Sequence, residues 1–326
     1  MPAGTVQPLA NPPPRASRPQ PRSAAEYGAG AHSVEPNPDD LENPEELQKR
    51  LLQIFESPNY RPPVLPGVAL ELTELSRNAD ASYEDVVAVL QKDPLIVAGV
   101  LKVAQSPVYG GRLPLQSLKD AVQRLGLNTL RDVVWQVAAD MRLFHVKRYT
   151  GFMERLQKHS MFMAHAARLV ATRAGVAAEH AFLCGLLHDV GVRGTLIALA
   201  ETEPSAPALE FLLAAIDQTH ERAGGQIARM WGLAPEIVAT IEQHHQYDPN
   251  RPGAPVLTAV LCVAESLAES LGYSTVEVPS GSLRSHGFDR YSAPTLELSL
   301  KRLRLNGKQD DLRARAEQLS EQLKAG

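Results

Sequence analysis

The stretch Gly185-Leu-Leu-His-Asp-Val-Gly-Val192 sets an imidazole and a carboxylate side by side, His188 and Asp189, at the end of an apolar run. Divalent cations such as iron, manganese or zinc take nitrogen and oxygen ligands, and this pair offers one of each. Around it in the chain stand His159, His220, the pair His244-His245, and Glu265. If these side chains converge from different helices they can hold a divalent cation, and a cation so held can activate water against a phosphoester. Taken singly, each histidine reads more simply as a helix-end side chain bonded to a carbonyl. Five of the ten histidines in this order, with two carboxylates, form a far more specific pattern than any one member.

Converging ligands need a rigid frame, and the periodicities around them are helical. Residues 1–43 are rich in Pro, Ala, Ser and Arg without apolar periodicity, and are expected to be a disordered tail. Residues 44–64 should form a short amphipathic helix from Pro44 to Glu56, capped by Asn43, and an extended connector, YRPPVLPG, whose prolines exclude helix. Residues 65–150 read as a lobe of short punctuated helices. Ser82 and Asp85 fit a capping box, Asp93-Pro94 an N-cap with proline at the first helical position, and Ser117 a cap ahead of LKDAVQRLG, which Gly126 stops. The next helix carries Leu130, Val133, Val134, Val137 and Met141 on one stripe.

Residues 151–273 form the second expected lobe. Its helices are MERLQKHSMFMAHAARLVATRAG, then AEHAFLCGLLHDVG as one helix ending on His188-Asp189, one segment near 209–231, APEIVATIEQHH, and VLTAVLCVAESLAESLG. Residues 274–326 supply a polar loop and two terminal helices, TLELSLKRLRL and DDLRARAEQLSEQL. No segment alternates with the period of a strand, so the expected fold class is all-α and two-lobed, more than half helical beyond residue 65.

Composition limits the function classes. A net charge of −4 over 326 residues disfavours non-specific polyanion binding. Cys184 and Cys262 sit in apolar runs without paired spacing and read as buried small hydrophobes. No leader-like segment and no apolar run of spanning length is read, so a cytoplasmic protein without membrane partners is expected. Two short helices meeting at Gly126 have the outline of a helix-turn-helix, but Arg112, Lys119, Arg124 and Arg131 are offset by Asp120 and Asp132, and nucleic acid is not the expected partner.

The succession LPG at 65–67, ASYEDVVAVLQKDPLIVAGVLKVAQSPVYG, SLKDAVQRLGLNTLRDVV, KHSMFMAHAARLVA, CGLLHDVG and THERAGGQIARMWGLAPEIVATIEQHH resembles the HDOD domain, a regulatory relative of the HD-superfamily metal-dependent phosphohydrolases. The resemblance spans roughly residues 60–272 and implies an all-helical domain in which His159, His188, Asp189, His220, His244, His245 and Glu265 match the superfamily's metal positions. The cofactor it implies is a divalent metal such as iron or manganese, and Asp189 is the catalytic candidate if the chain is an enzyme.

Three departures speak against turnover. Val192 stands where the cyclic di-GMP phosphodiesterase branch has a lysine, so a phosphate-neutralising cation is missing unless Arg193 next to it substitutes; the loop HHQYDPNRPGAP lacks Gly-Tyr-Pro; and Glu265 replaces an aspartate. The favoured reading is a non-catalytic signal-transduction module acting through another signalling protein or a nucleotide ligand. The alternative is an HD-type phosphohydrolase acting on a nucleotide. His165 lies about 240° round the helix from His159 and is expected to be structural, as are His145 and His180 near helix ends; His32 and His286 fall in tail and loop. Trp231 reads as a core anchor.

Overall fold

The computed structural model describes residues 44–325 apart from 58–59, 61, 64–66, 79, 110–116, 144–148, 177, 203–208, 218, 249–250, 252 and 276–291. The expected tail, the Asn43 cap, Arg112, most of the polar loop after 274, and His32, His145 and His286 lie outside the described residues. Among those described, no strand occurs and the fold is all helical.

The first half assembles as its punctuation dictates. Helix α1 (Pro44–Glu56) buries Leu47, Leu51 and Phe55, which recur every four residues. Helix α2 (Gly67–Leu75) was not expected; its apolar stripe is only Val68, Ala69 and Leu72. Helix α3 (Tyr83–Leu90) starts with the capping box, Ser82 accepting from the Asp85 N–H while the Asp85 carboxylate accepts from the Ser82 N–H. At α4 (Pro94–Ala104), the Asp93 side chain accepts from the N–H groups of Leu95 and Ile96. Helix α5 (Leu118–Leu143) is broken at Gly126 (φ 69°, ψ 166°), where the sequence places a stop. Its second segment turns Arg131 inward onto Asp132, which also receives Arg168, so this basic face is partly spent on a buried ion-pair cluster.

The second half departs from the expected boundaries at two places. Helix α6 (Thr150–Ala174) ends on left-handed Gly175 as expected. The segment AEHAFLCGLLHDVG is not one helix: α7 (Ala178–Leu187) stops, His188 and Asp189 form a turn, and α8 (Val190–Thr202) begins. The segment 209–231 likewise divides into α9 (Leu209–Asp217) and α10 (His220–Met230). Then follow α11 (Pro235–Glu242), α12 (Val256–Ser270), α13 (Ala293–Arg302) and α14 (Gln309–Lys324).

One apolar core runs from Val68 and Leu72 through Val133 and Phe162 to Ala264 and Leu312. A second cluster seats Leu47 and Leu51 of α1 with Leu156, Val192, Leu196 and Leu212. Trp231 is buried and donates to the Pro63 carbonyl at 3.1 Å, an anchor between α10 and the connector. Cys184 and Cys262 are buried free thiols. His180 faces the Glu236 carboxylate at 3.4 Å, not the carbonyl or solvent expected of it. The run His180–Leu199 does reach spanning length and apolarity, contrary to the sequence reading, but 94% of its apolar window is buried inside the fold, which makes it core.

Candidate metal centre

Helices reach the centre because glycines let their backbones touch. A Cβ on Gly185 would lie 2.4 Å from the Met163 carbonyl oxygen, so α7 packs directly on α6 and brings His188 to His159. A Cβ on Gly191 would lie 1.9 Å from the His220 carbonyl oxygen, so α8 packs directly on α10 and brings Asp189 to His220. His244 follows the end of α11, and Glu265 projects from α12.

Four imidazoles are fixed in the same way. Nδ1 of His159 bonds the Tyr273 carbonyl (2.8 Å), Nδ1 of His188 that of Gly185 (2.9 Å), Nδ1 of His220 those of Ile216 and Asp217 (both 3.1 Å), and Nδ1 of His244 that of Ile241 (2.6 Å). A carbonyl only accepts, so each Nδ1 carries the proton and each neutral ring turns the Nε2 lone pair inward. Those lone pairs face one another, His159 to His188 at 3.1 Å and His220 to His244 at 3.3 Å. Facing lone pairs repel unless a proton or a cation sits between them. A backbone carbonyl behind a ligating imidazole is also the usual way in which metal-binding histidines are held.

Asp189 stands between the two pairs. Oδ2 lies 3.3 Å from His188 Nε2 and 3.8 Å from His159 Nε2, while Oδ1 lies 3.5 Å from His244 Nε2 and 3.9 Å from His220 Nε2. Neither oxygen accepts a hydrogen bond among the described residues, although both are buried. Burial pushes this carboxyl up, whereas a proton on the facing nitrogen of His188, His244 or His220 pulls it down, and the balance lies well below the usual carboxylate range. A buried carboxylate with no hydrogen-bond donor is costly. Two sets of ligand atoms therefore share Asp189, one with His159 and His188, the other with His220, His244 and His245, each within 4.8 Å internally. The donors fit divalent cations in number and type.

Glu265 faces the first set, its Oε2 3.7 Å from His159 and 3.9 Å from His188, without joining the tight group. Burial lowers the pKa of His220 and His245, whereas for His244 burial is outweighed by the Asp189 carboxylate, which raises it. All seven expected residues thus lie around one centre. His165 does not join it; it is buried elsewhere, against Phe182.

One support, Glu221, was missed from sequence, and Arg193, raised there only as a stand-in for the lysine, has another place. Glu221 accepts from the N–H groups of His245 (2.7 Å) and Gln246 (3.3 Å), locking the double-histidine turn; a carboxylate directly after His220 was the available signal. Arg193 is fully buried and donates to Ser160 of α6, while burial brings its pKa down to about 9 despite the Asp189 charge. Val192 lies in the second apolar cluster, with Leu156, Leu196 and Leu212. Of the seven centre residues, His245 alone is partly exposed.

The HDOD domain model matches residues 63–247, more than half of the chain. A protein of Shewanella amazonensis SB2B provisionally named a metal-dependent phosphohydrolase superposes with a TM-score of 0.60 at 22% identity, covering 79% of this chain and 88% of that one. An HDOD domain protein of unknown function from Geobacter sulfurreducens superposes with a TM-score of 0.57 at 22% identity, covering 84% and 97%. Ribonuclease Y of Mycoplasma mycoides is 25% identical over 158 residues, 48% of this chain and 32% of that protein. The chain spans about a third of the length of the curated relatives it matches. With its all-helical fold and its buried His/Asp centre, this chain belongs to the HDOD family.

Proposed function

We propose that this protein is a regulatory signal-transduction module in which the centre around Asp189 holds divalent cations and tunes the fold instead of turning over a substrate. The observation that carries this reading is the closure of the centre. His159, Asp189 and His220 are 0% exposed, His188 and His244 1%, and Glu265 3%. A phosphoester needs room at the cations and a cation of its own to meet the phosphate. The candidate for that second role, Arg193, is bonded to Ser160, and Val192 is buried in an apolar cluster with Leu156, Leu196 and Leu212. Output then passes through a second signalling protein or a nucleotide ligand.

His159, His188 and Asp189 would hold one cation, with Glu265 beside it; Asp189, His220, His244 and His245 would hold another. The chemistry a cation supplies there is Lewis acidity and a bound water of lowered pKa. The chain's own residues orient the imidazoles through backbone carbonyls, exclude bulk water, and place His244 to take a proton beside Asp189.

A second reading, an HD-type phosphohydrolase acting on a nucleotide, is favoured by the completeness of the donor set and by the names that relatives carry. Elemental analysis of the purified protein, paired with phosphate release from a nucleotide panel, separates the two. Bound iron or manganese without phosphate release supports the regulatory module. Turnover that a chelator abolishes overturns it.

A further inference from the structure

Between α4 and the turn Pro107–Tyr109 on one side, and α6, the end of α12 and the end of α14 on the other, lies a cavity of about 1040 Å³, separate from the His/Asp centre. Its walls carry the rings of Tyr109, His165 and Tyr273 together with Val103, Met161 and Leu271. Lys102, Arg155, Lys158 and Lys324 also line it. Lys102 and Lys158 form no ion pair among the described residues. The one carboxylate among the described lining residues, Asp140, accepts from Gln157. An apolar, aromatic interior with surplus positive charge suits a planar ring bearing an anion.

His165 supplies an independent observation. It is 7% exposed, and its Nε2 is buried with no hydrogen-bond partner among the described residues. The ring sits 5.8 Å from that of Tyr109 and edge-on to Phe182 at 5.2 Å. Buried polar atoms are nearly always satisfied, so this ring nitrogen, covered beside the cavity between Tyr109 and Phe182, is completed when a ligand displaces the Tyr109 ring and brings a polar atom to it.

The cavity also touches the wiring of the His/Asp centre. Tyr273, one of its walls, gives its carbonyl to His159 Nδ1 at 2.8 Å and stacks its ring on Phe162 at 4.2 Å. Arg155 donates to the Thr275 carbonyl at 3.2 Å and so steadies the same segment. Lys158 is the residue before His159 on α6. A ligand that shifts Tyr273 therefore shifts the group that fixes the His159 tautomer.

We propose that this cavity is a nucleotide-binding site, with the base against Tyr109, His165 and Tyr273 and the phosphates on Lys102, Lys158 and Arg155, and that occupancy is coupled to cation binding at Asp189 through the Tyr273 carbonyl. This deepens the regulatory reading by naming the ligand's class and seat, and it rests on that reading. The test is calorimetric titration of the full chain with ATP, GTP and cyclic di-GMP, with inorganic triphosphate as the control and phosphate release followed in the same samples.

The expected result is binding of at least one nucleotide with Kd below about 100 µM, at least tenfold weaker in the double variant Lys102→Glu/Lys158→Glu and in His165→Phe, and absent for triphosphate alone. The lysines are surface positions, so the double variant stays folded. Manganese titrated with and without that nucleotide should show affinities differing at least fivefold, and the nucleotide's affinity should shift by the same factor when manganese is present. No binding by about 1 mM, binding untouched by the lysine reversal, or equal binding of triphosphate overturns the site. Equal manganese affinities overturn the coupling. Phosphate release refutes the regulatory reading instead, and does so whether or not the lysine variant weakens binding.

Discussion

Replacing Gly191 by alanine tests the claim that close backbone contact builds the centre. The new Cβ would meet the His220 carbonyl oxygen at 1.9 Å, the Gly224 nitrogen at 2.6 Å and the His220 carbonyl carbon at 2.8 Å. These are backbone atoms of α10 and cannot swing aside. Ordinary contact needs about 3.5 Å, so α8 must retreat from α10 by roughly 1.5 Å. The Asp189 Oδ1 to His220 Nε2 distance, now 3.9 Å, then opens beyond the reach of a shared cation. Forcing a carbon into a rigid, filled site costs typically 1–3 kcal/mol, and the absence of any flexible neighbour puts this case near about 3 kcal/mol. In a chain of this size that corresponds to a Tm lower by about 4–5 °C. Scanning calorimetry of Gly191→Ala beside Gly67→Ala is the measurement, since a Cβ on Gly67 would meet nothing within 4 Å. Gly67→Ala should melt at or slightly above the wild-type temperature, and Gly191→Ala should also take up less manganese. If both variants melt together and bind equally, the tight α8–α10 contact is not what assembles the centre.

Asp189→Ala should abolish cation binding, and a chelator should lower the Tm of the wild type while leaving that variant unmoved, because a cation that binds only the folded form stabilises it. A chelator without effect on the wild type would mean that the imidazoles hold no metal. His165 gives a pH signature: burial brings its pKa down to about 4, below the ordinary 6.5, so the unfolded chain takes up a proton that the folded chain refuses. Its stability contribution is whole above about pH 6.5 and is lost as pH falls toward 4, a loss of about 2 kcal/mol by about pH 5. Urea titrations at the two pH values should show the difference between wild type and His165→Phe changing by that amount, and a constant difference would place His165 in a polar environment. Asp132→Asn should cost about 3–5 kcal/mol in the same urea assay, because it strips the shared partner from Arg131 and Arg168. A loss below about 1 kcal/mol would put that cluster in solvent.

What could be read from residues alone was whatever obeys a local rule. Ser82, Asp93 and Gly175 act within a turn of their own helices, and each is found at the boundary its chemistry marks. The stretch around His188 and Asp189 escaped because its signals conflict. Leu183, Leu186, Leu187, Val190 and Leu196 continue an apolar pattern that reads as one helix, yet two glycines and a His-Asp pair break it into two helices joined by a turn. That turn is what lets Asp189 face two pairs of imidazoles at once, which a residue on a continuous helix could not do with its single outward direction. The cavity beside α6 was equally hidden, since Lys102, Lys158 and His165 meet there only after α4, α6 and α14 have docked. His165 was correctly set apart from His159 by helical phase, but phase fixes only which face a side chain takes, and what lies opposite that face is decided by long-range packing. The same limit applies to closure: Val192 looks in sequence like a missing lysine, and only its burial in the second apolar cluster turns an absent charge into a covered wall. Restoring the lysine by Val192→Lys would therefore bury a cation in an apolar cluster, and the expected outcome is a destabilised protein without phosphate release. Phosphate release by Val192→Lys would mean instead that this cluster yields readily and that the centre needs only a charge to become catalytic.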